Sequence, residues 1–288
     1  MKTLDTLIPD IYTVLDGLNS DKGIDIPEDL MEEFLVNMRE ALEGWSTPYL
    51  QSKNLRMSNI GRPLRRVWYD FKTKDGGTLD EKTLHPSTFI KFLYGHMLEQ
   101  VAILFIKLAG HEVTDTQKEV EVDGVKGHID CKIDGEVVDI KTASNFSFKK
   151  FSEGTLENND TFGYMAQLAG YEQAEGTEDG GFFAMNKESG EICLLRPGNL
   201  TKPNIKTKIK EIETVLSNSY PPEICYAAVA EGKRGNMKLH PICTYCPYKR
   251  RCWADSNNGE GLRAFKYSNG IKYFTRVVSL PKVQEIPL

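Results

Sequence analysis

The sequence predicts an α/β protein, on three observations. Short strand-like segments meet at Asp123-Gly124 and Asp134-Gly135, and Asp-Gly accepts the positive φ angles of a tight hairpin. A long segment with an apolar stripe precedes them and closes at Gly110, as a helix does. A second helix-like stretch, about 162–173, leads into two further strand-like runs, 181–186 and 191–195, around the turn Lys187-Glu188-Ser189-Gly190.

Taken in order, residues 1 to about 50 read as helical. A first segment covers about 7–18, and a stronger one follows Pro27 with Leu30, Phe34, Met38 and Leu42, flanked by Leu35 and Ala41, at helical spacing and Gly44 as its stop. These helices are expected to pack on the core or bind a partner. In 55–69, Arg62, Arg65 and Arg66 are interleaved with Trp68 and Tyr69. That pattern suits phosphate contact and base stacking, and equally an amphipathic helix with Trp68 in the core. Residues 70–86 are polar and read as a mobile connection. The helix of about 87–108 buries a stripe of Phe89, Phe92, Leu93, Met97, Val101, Leu104, Phe105 and Leu108, and carries His96 and Glu99 at i and i+3, facing one site.

Three strands then form a meander: 117–122, a second running from Gly127 to Ile133, and a third through Asp139 and Lys141. Alternation puts Val137, Asp139 and Lys141 on one face of the third strand. Asp130 converges on them across the hairpin, and carboxylates so gathered need a user, for which a divalent cation is the obvious choice. Glu99 is the candidate third ligand. Lys149 and Lys150 follow among Phe146, Phe148 and Phe151, a segment suited to a passing strand of nucleic acid. In the next helix Gln167 and Tyr171 share a face, and a helix of about 204–218 ends at the boundary Pro221-Pro222.

The formal net charge of −5 argues against a protein that coats nucleic acid by bulk electrostatics, but not against a nuclease with one basic groove. With 288 residues and 40% hydrophobic content the chain can build a large core. It shows neither a signal pattern nor a long apolar run, so a cytoplasmic protein without membrane association is expected. Cys225, Cys243, Cys246 and Cys252 occupy one segment, at a spacing that lets thiolates wrap one tetrahedral metal or one iron–sulfur cluster. Tyr245, Tyr248, Lys249, Arg250, Arg251 and Trp253 around them suggest a DNA-contacting flap. Cys131 and Cys193 read as plain core residues.

Together, Gly95-x3-Glu99, Gly127-x2-Asp130, Asp139-x-Lys141 and Gln167-x3-Tyr171 resemble the ordered motifs of the PD-(D/E)XK nuclease superfamily, in its RecB-like branch with phage-encoded exonucleases. The resemblance spans about 55–280, including the 262–270 segment. It implies a restriction-endonuclease-like core with a central mixed β-sheet flanked by helices, set between an N-terminal helical region (1–54) and a four-cysteine module with C-terminal tail (223–288), the core covering 55–222. It also implies DNA phosphodiester hydrolysis with Mg2+ or Mn2+. Glu99, Asp130 and Asp139 would ligate the metal with the Ile140 carbonyl, and His96 is held as a further ligand. Lys141 would orient or activate water, while Gln167 and Tyr171 would position the DNA or the lysine. Arg62, Arg65, Arg66, Lys149 and Lys150 are the candidate DNA-binding residues. Iron–sulfur nucleases of this branch share the Cys243-x2-Cys246-x5-Cys252-Trp253 ending but take their first cysteine from upstream. Here Cys225 substitutes, so a 4Fe-4S cluster is the first reading and Zn2+ the second. A phage DNA exonuclease working with a single-strand annealing or replication protein is the leading expectation. The alternatives are a structure-specific or single-strand endonuclease, a non-catalytic nucleic-acid-binding protein, and a structural protein built on the cysteine centre.

Overall fold

The structure, a computed structural model, describes residues 2–21, 23–48, 54–72, 86–196 and 202–288. Most of the connection expected over 70–86 therefore lies outside the described residues. Helices α1 (Leu7–Asp16), α2 (Glu28–Trp45), α3 (Met57–Ile60) and α4 (Leu64–Lys72) precede the 23-residue α5 (Pro86–Leu108). Strands β1 (Val113–Thr114), β2 (Glu119–Val122), β3 (Val125–His128), β4 (Cys131–Ile133) and β5 (Glu136–Ala143) follow, then α6 (Asn145–Ser152), α7 (Tyr164–Glu175), β6 (Gly181–Asn186), β7 (Ile192–Leu195) and α8 (Ile205–Ser217). The last strands are β8 (Val229–Glu231), β9 (Asn236–Lys238), β10 (Arg263–Tyr267), β11 (Gly270–Arg276) and β12 (Glu285–Ile286).

The chain divides into two units, Met1–Gly61 with His85–Glu211, and Arg62–Leu84 with Ile212–Leu288. These limits cross those read from the sequence at 54/55 and 222/223: the arginine-bearing α4 groups with the cysteine segment. In the first unit the mixed sheet runs β1-β4-β5-β6-β7, with β5 and β6 parallel and the other pairs antiparallel. One face packs Val138, Ile140, Phe183 and Met185 against Leu7 and Ile11 of α1 and Ala102, Ile103 and Ile106 of α5. The other face meets α6 and α7, where Phe182 lies 5.8 Å from Phe151 and 6.3 Å from Tyr164 between ring centroids. Both Phe182 and Phe183 are fully buried, as expected of a strand covered on both sides. His111 ties α1 to the β4–β5 turn, its Nδ1 2.7 Å from Asp134 Oδ2 and its Nε2 3.2 Å from Asp10 Oδ2.

The expected three-stranded meander does not form. Both Asp-Gly turns are present, with φ of 46° at Asp123 and 51° at Asp134. The middle strand, however, breaks at Ile129-Asp130: β3 pairs with β2 as a separate ribbon, and β4 enters the main sheet. The stripe read along α5 also differs. Buried positions cluster at Ala102, Ile103, Leu104 and Ile106, whereas Phe92 stays 38% exposed. The distal half of α5 is enclosed on more than one side, so a single 3.6-residue stripe misdescribes it, and the proximal half is joined to α2 through Trp45 Nε1, which donates to Phe89 O at 2.8 Å. On α2 itself, Leu30, Phe34, Met38 and Ala41 are half-buried, but Leu35 and Leu42 face solvent. By length and composition α5, with a window of mean hydropathy 1.4, could cross a membrane, although no such run was expected; in this fold its distal half fills the core.

The second unit is built on the antiparallel sheet β12-β10-β11-β9-β8, with Phe265 and Phe274 packed edge to face at 5.0 Å. Tyr69 stacks on Tyr248 at 5.1 Å, and the Tyr248 hydroxyl donates to Asp70 Oδ1 at 2.6 Å.

Close backbone approaches locate α7 in the first unit. Gly163, with φ of 82°, precedes α7, and a Cβ there would overlap the Gly61 backbone. A Cβ on Gly127 would come within 2.7 Å of Met57 Cβ and Tyr171 Cε1, so that glycine admits α3 and α7 to the ribbon. We expect Gly163→Ala to cost about 2 kcal/mol or more and to lower the thermal midpoint by several degrees. Gly154→Ala, also at positive φ (65°) but with nothing within 4 Å of its Cβ, should cost about 1 kcal/mol. Equal midpoints for the two variants would contradict the packing argument.

Candidate active site and cysteine cluster

The break at Ile129-Asp130 builds the site. Antiparallel pairing of β4 with β5 runs from Ile133↔Glu136 to Cys131↔Val138, and one step further the Asp130 side chain takes over. Its Oδ2 accepts the Ile140 amide at 2.7 Å, in place of a strand carbonyl. Gln117 holds the turn from the other side. Its amide donates to Asp130 O at 3.1 Å, and its Nε2 donates to Glu99 Oε1 at 2.9 Å.

Alternation along β5 places Asp139 and Lys141 together, with Asp139 Oδ2 2.5 Å from Lys141 Nζ. Asp139 is fully buried, and its Oδ1 has no hydrogen-bond partner among the described residues. Burial pushes its carboxyl up to about 7, against the pull of Lys141 and with the help of Asp130. Asp130 is raised to about 6, chiefly by burial, with Lys141 opposing and Glu99 adding. Glu99 is also raised by burial, with Gln117 and Lys141 opposing and Asp139 adding. Burial works against the Lys141 charge, yet Asp139 and Asp130 hold its pKa above the ordinary lysine value. The three carboxylates and the lysine thus act on one another electrostatically, although no three His, Cys, Asp or Glu side chains among the described residues are placed as a ready metal-binding group.

Two pockets flank this line. One of about 630 Å3 is lined by His96, Glu99, Asp130, Gln117 and Trp45. His96 shares this pocket but hydrogen-bonds to neither carboxylate. The other, of about 180 Å3, is lined by Lys141, Lys150, Lys187, Phe162 and Tyr164. Lys149, on the same helix as Lys150, is exposed. Ile140 offers its amide to Asp130, and its side chain joins the α1–α5 core.

Gln167 Nε2 donates to the Tyr171 hydroxyl at 2.9 Å. Tyr171 is only 2% exposed; it packs on Gly127 and supports the site from behind. Gln117 and Tyr164 are further residues of this site, outside the motifs that mark the others. The Tyr164 ring lies 5.1 Å from Lys141 Nζ. Its spacing before Gln167 and Tyr171, at i, i+3 and i+7, already placed it on their helix face. No comparable sequence signal marks Gln117, whose φ of 53° sets it within an irregular turn.

In the second unit all four clustered cysteines are free thiols. Burial first, and then its neighbours Cys246, Cys225 and Cys252, together raise Cys243 to about 12, so the four groups lie within electrostatic reach. The arginines expected on DNA are half-buried here. Arg65 Nε donates to Cys252 Sγ at 3.0 Å and its Nη1 to Pro222 O at 2.5 Å, while Arg62 pairs with Asp70 at 3.5 Å. Burial raises the Cys246 thiol, with the Tyr248 amide and Arg66 opposing, and Arg66 Nε is buried without a hydrogen-bond partner among the described residues. Trp68 is half-buried, outside the core, and its Nε1 donates to Asn218 O at 3.1 Å. Of the expected flap, Tyr248 and Lys249 are buried, whereas Tyr245 is 89% exposed.

No family model and no curated protein matches the chain. Among solved structures, SSO0001 aligns at 19% identity and a TM-score of 0.40, over 76% of this chain and 94% of its own. An alkaline exonuclease (LHK-Exo) from Laribacter hongkongensis aligns at 16% identity and a TM-score of 0.34, over 55% of this chain and 86% of its own. The same enzyme in complex with dAMP gives 16% and 0.30, over 58% and 89%. Likenesses at this level carry no functional argument, which rests on the side chains themselves.

The raised carboxyl of Asp139 has a thermodynamic signature in EDTA-treated protein. The folded state holds this proton up to about pH 7, the unfolded chain only to about pH 4, so folding stability is lost as pH rises through that window. Asp139→Asn removes the dependence. Its stability relative to the wild type should rise by ~2 kcal/mol or more between pH 4 and pH 8. Urea unfolding at the two pH values measures this, and a constant difference would show that Asp139 is not a buried, proton-holding group.

Proposed function

We propose that this chain is a divalent-metal-dependent deoxyribonuclease acting on DNA ends. The observation that carries the reading is the fully buried Asp139 carboxylate, with an oxygen lacking a partner, beside Asp130, Glu99 and Lys141. A buried carboxylate oxygen without a donor costs several kcal/mol unless something offsets it. An all-oxygen donor set of this kind suits a hard cation. Asp139, Asp130 and Glu99 would hold Mg2+ or Mn2+, with the Ile140 carbonyl and His96 as neighbouring donors. Bound there, the cation would lower the pKa of a water and offset charge on the reacting phosphate oxygens.

The residues of the chain divide the remaining work. Lys141, whose charge Asp139 and Asp130 favour against burial, would orient or activate the attacking water and offset charge developing on the phosphate. Tyr164 steadies that ammonium from its ring face, and Gln167 with Tyr171 supports the ribbon from behind. Cys225, Cys243, Cys246 and Cys252 would hold a 4Fe-4S cluster or Zn2+. An exonuclease in phage DNA replication or recombination, partnered by a single-strand annealing or replication protein, is the finer reading that the motif resemblance favours.

End-labelled linear and covalently closed circular DNA, incubated with Mg2+, Mn2+ or EDTA, test the proposal. Cation-dependent loss of linear DNA alone is expected, with Lys141→Ala and Asp139→Asn at least ~100-fold slower. Cutting of circles would instead indicate an endonuclease, and no cleavage by folded, cation-loaded protein would leave a nucleic-acid-binding protein. Metal analysis should find iron with sulfide, or zinc, in the wild type, and Cys243→Ser with Cys246→Ser should abolish it.

A further inference from the structure

On the reading that this site cleaves DNA, we infer that the smaller pocket is a base-stacking station for single-stranded DNA, with Phe162 as its platform. Phe162 is 59% exposed, and its ring stacks on Tyr164 at 5.5 Å with 20° between planes. Tyr164 in turn lies 5.1 Å from Lys141 Nζ. One line of contacts therefore runs from an open aromatic face, through a second ring, to the cation beside Asp139.

Exposed aromatic residues are common and need no explanation singly. This one differs because one face is fixed on Tyr164 and because cations surround it. Lys141, Lys150 and Lys187 line the pocket that Phe162 also lines. The acidic member of that lining, Asp160, already accepts the amides of Gly163, Tyr164 and Met165 at 2.9, 2.9 and 2.8 Å, so its charge is engaged by the start of α7. A second open ring, Phe146, is 73% exposed and lies 5.5 Å from Lys150 Nζ. Lysines interleaved with open aromatic faces are the chemistry of single-strand binding, in which phosphates meet the cations and bases meet the rings.

The arrangement selects among DNA forms. In a duplex both faces of an internal base are covered by its neighbours, so a base on Phe162 must be terminal, frayed or single-stranded. A strand would lay one unstacked base on Phe162 and carry the adjoining phosphate towards Lys141.

Equilibrium binding tests this, with Ca2+ in place of Mg2+ to hold cleavage in check. The probes are a single-stranded oligonucleotide containing 2-aminopurine and a blunt hairpin duplex. Wild-type protein should bind the single strand with quenching of 2-aminopurine. Phe162→Ala should weaken that binding about tenfold and abolish the quenching, with an unchanged thermal midpoint, and Phe162→Trp should restore both. Unchanged single-strand affinity in Phe162→Ala, or tighter binding of the blunt duplex by the wild type, would overturn the inference while leaving a nuclease. Failure of the wild type to bind either probe would overturn the nuclease reading itself.

Discussion

The hydrogen bond from the Ile140 amide to Asp130 Oδ2, at 2.7 Å, is the contact on which the first unit depends. A strand amide inside a covered sheet must be satisfied, and here a side chain does it instead of the neighbouring backbone. That substitution frees the β2–β3 ribbon to leave the sheet. It also brings a carboxylate to the middle of β5, one residue from Asp139 and one from Lys141. Gln117 completes the junction by joining the Asp130 carbonyl to Glu99 on α5. The acids are therefore assembled by the defect in the sheet, and their raised pKa values follow from being assembled out of water.

The legible parts of the sequence were those encoded locally. The Asp-Gly turns, the i, i+2 placement of Asp139 and Lys141, the i, i+4 pair Gln167 and Tyr171, and the strand pair around 187–190 depend on short-range geometry alone. The strand break was not legible, since Val125–His128 and Cys131–Ile133 alternate as one continuous strand would and the cause of the break is a contact with Ile140 ten residues on. The stripe on α5 failed for a different reason. Periodicity reports a helix with one wet side, and α5 is closed in over its distal half and open over its proximal half.

Charge patterning says least where cations have anionic or sulfur partners inside the protein. Arg62, Arg65 and Arg66 look like a phosphate-binding row beside Trp68 and Tyr69. In the fold Arg62 pairs with Asp70, Arg65 donates to Cys252 and Arg66 lies near Cys246, within the unit that α4 shares with the cysteines. A guanidinium beside buried thiols favours their charged form, which is the form that ligates a metal. Arg65 and Arg66 thus border the cysteine cluster, and the lysines of β5 and α6 stand near the carboxylates.

The stretch 160–163 is pinned at both ends. Asp160 is fastened to three successive amides of α7, and Gly163 is wedged against the backbone of Gly61. Two residues, Thr161 and Phe162, are strung between these fixed points. Such a short span has little conformational entropy left to lose, so a molecule docking against it would meet a surface already in its final shape. Preorganisation of this kind acts mainly on residence time: the complex need not refold a loop to form, and it gains no disorder by coming apart.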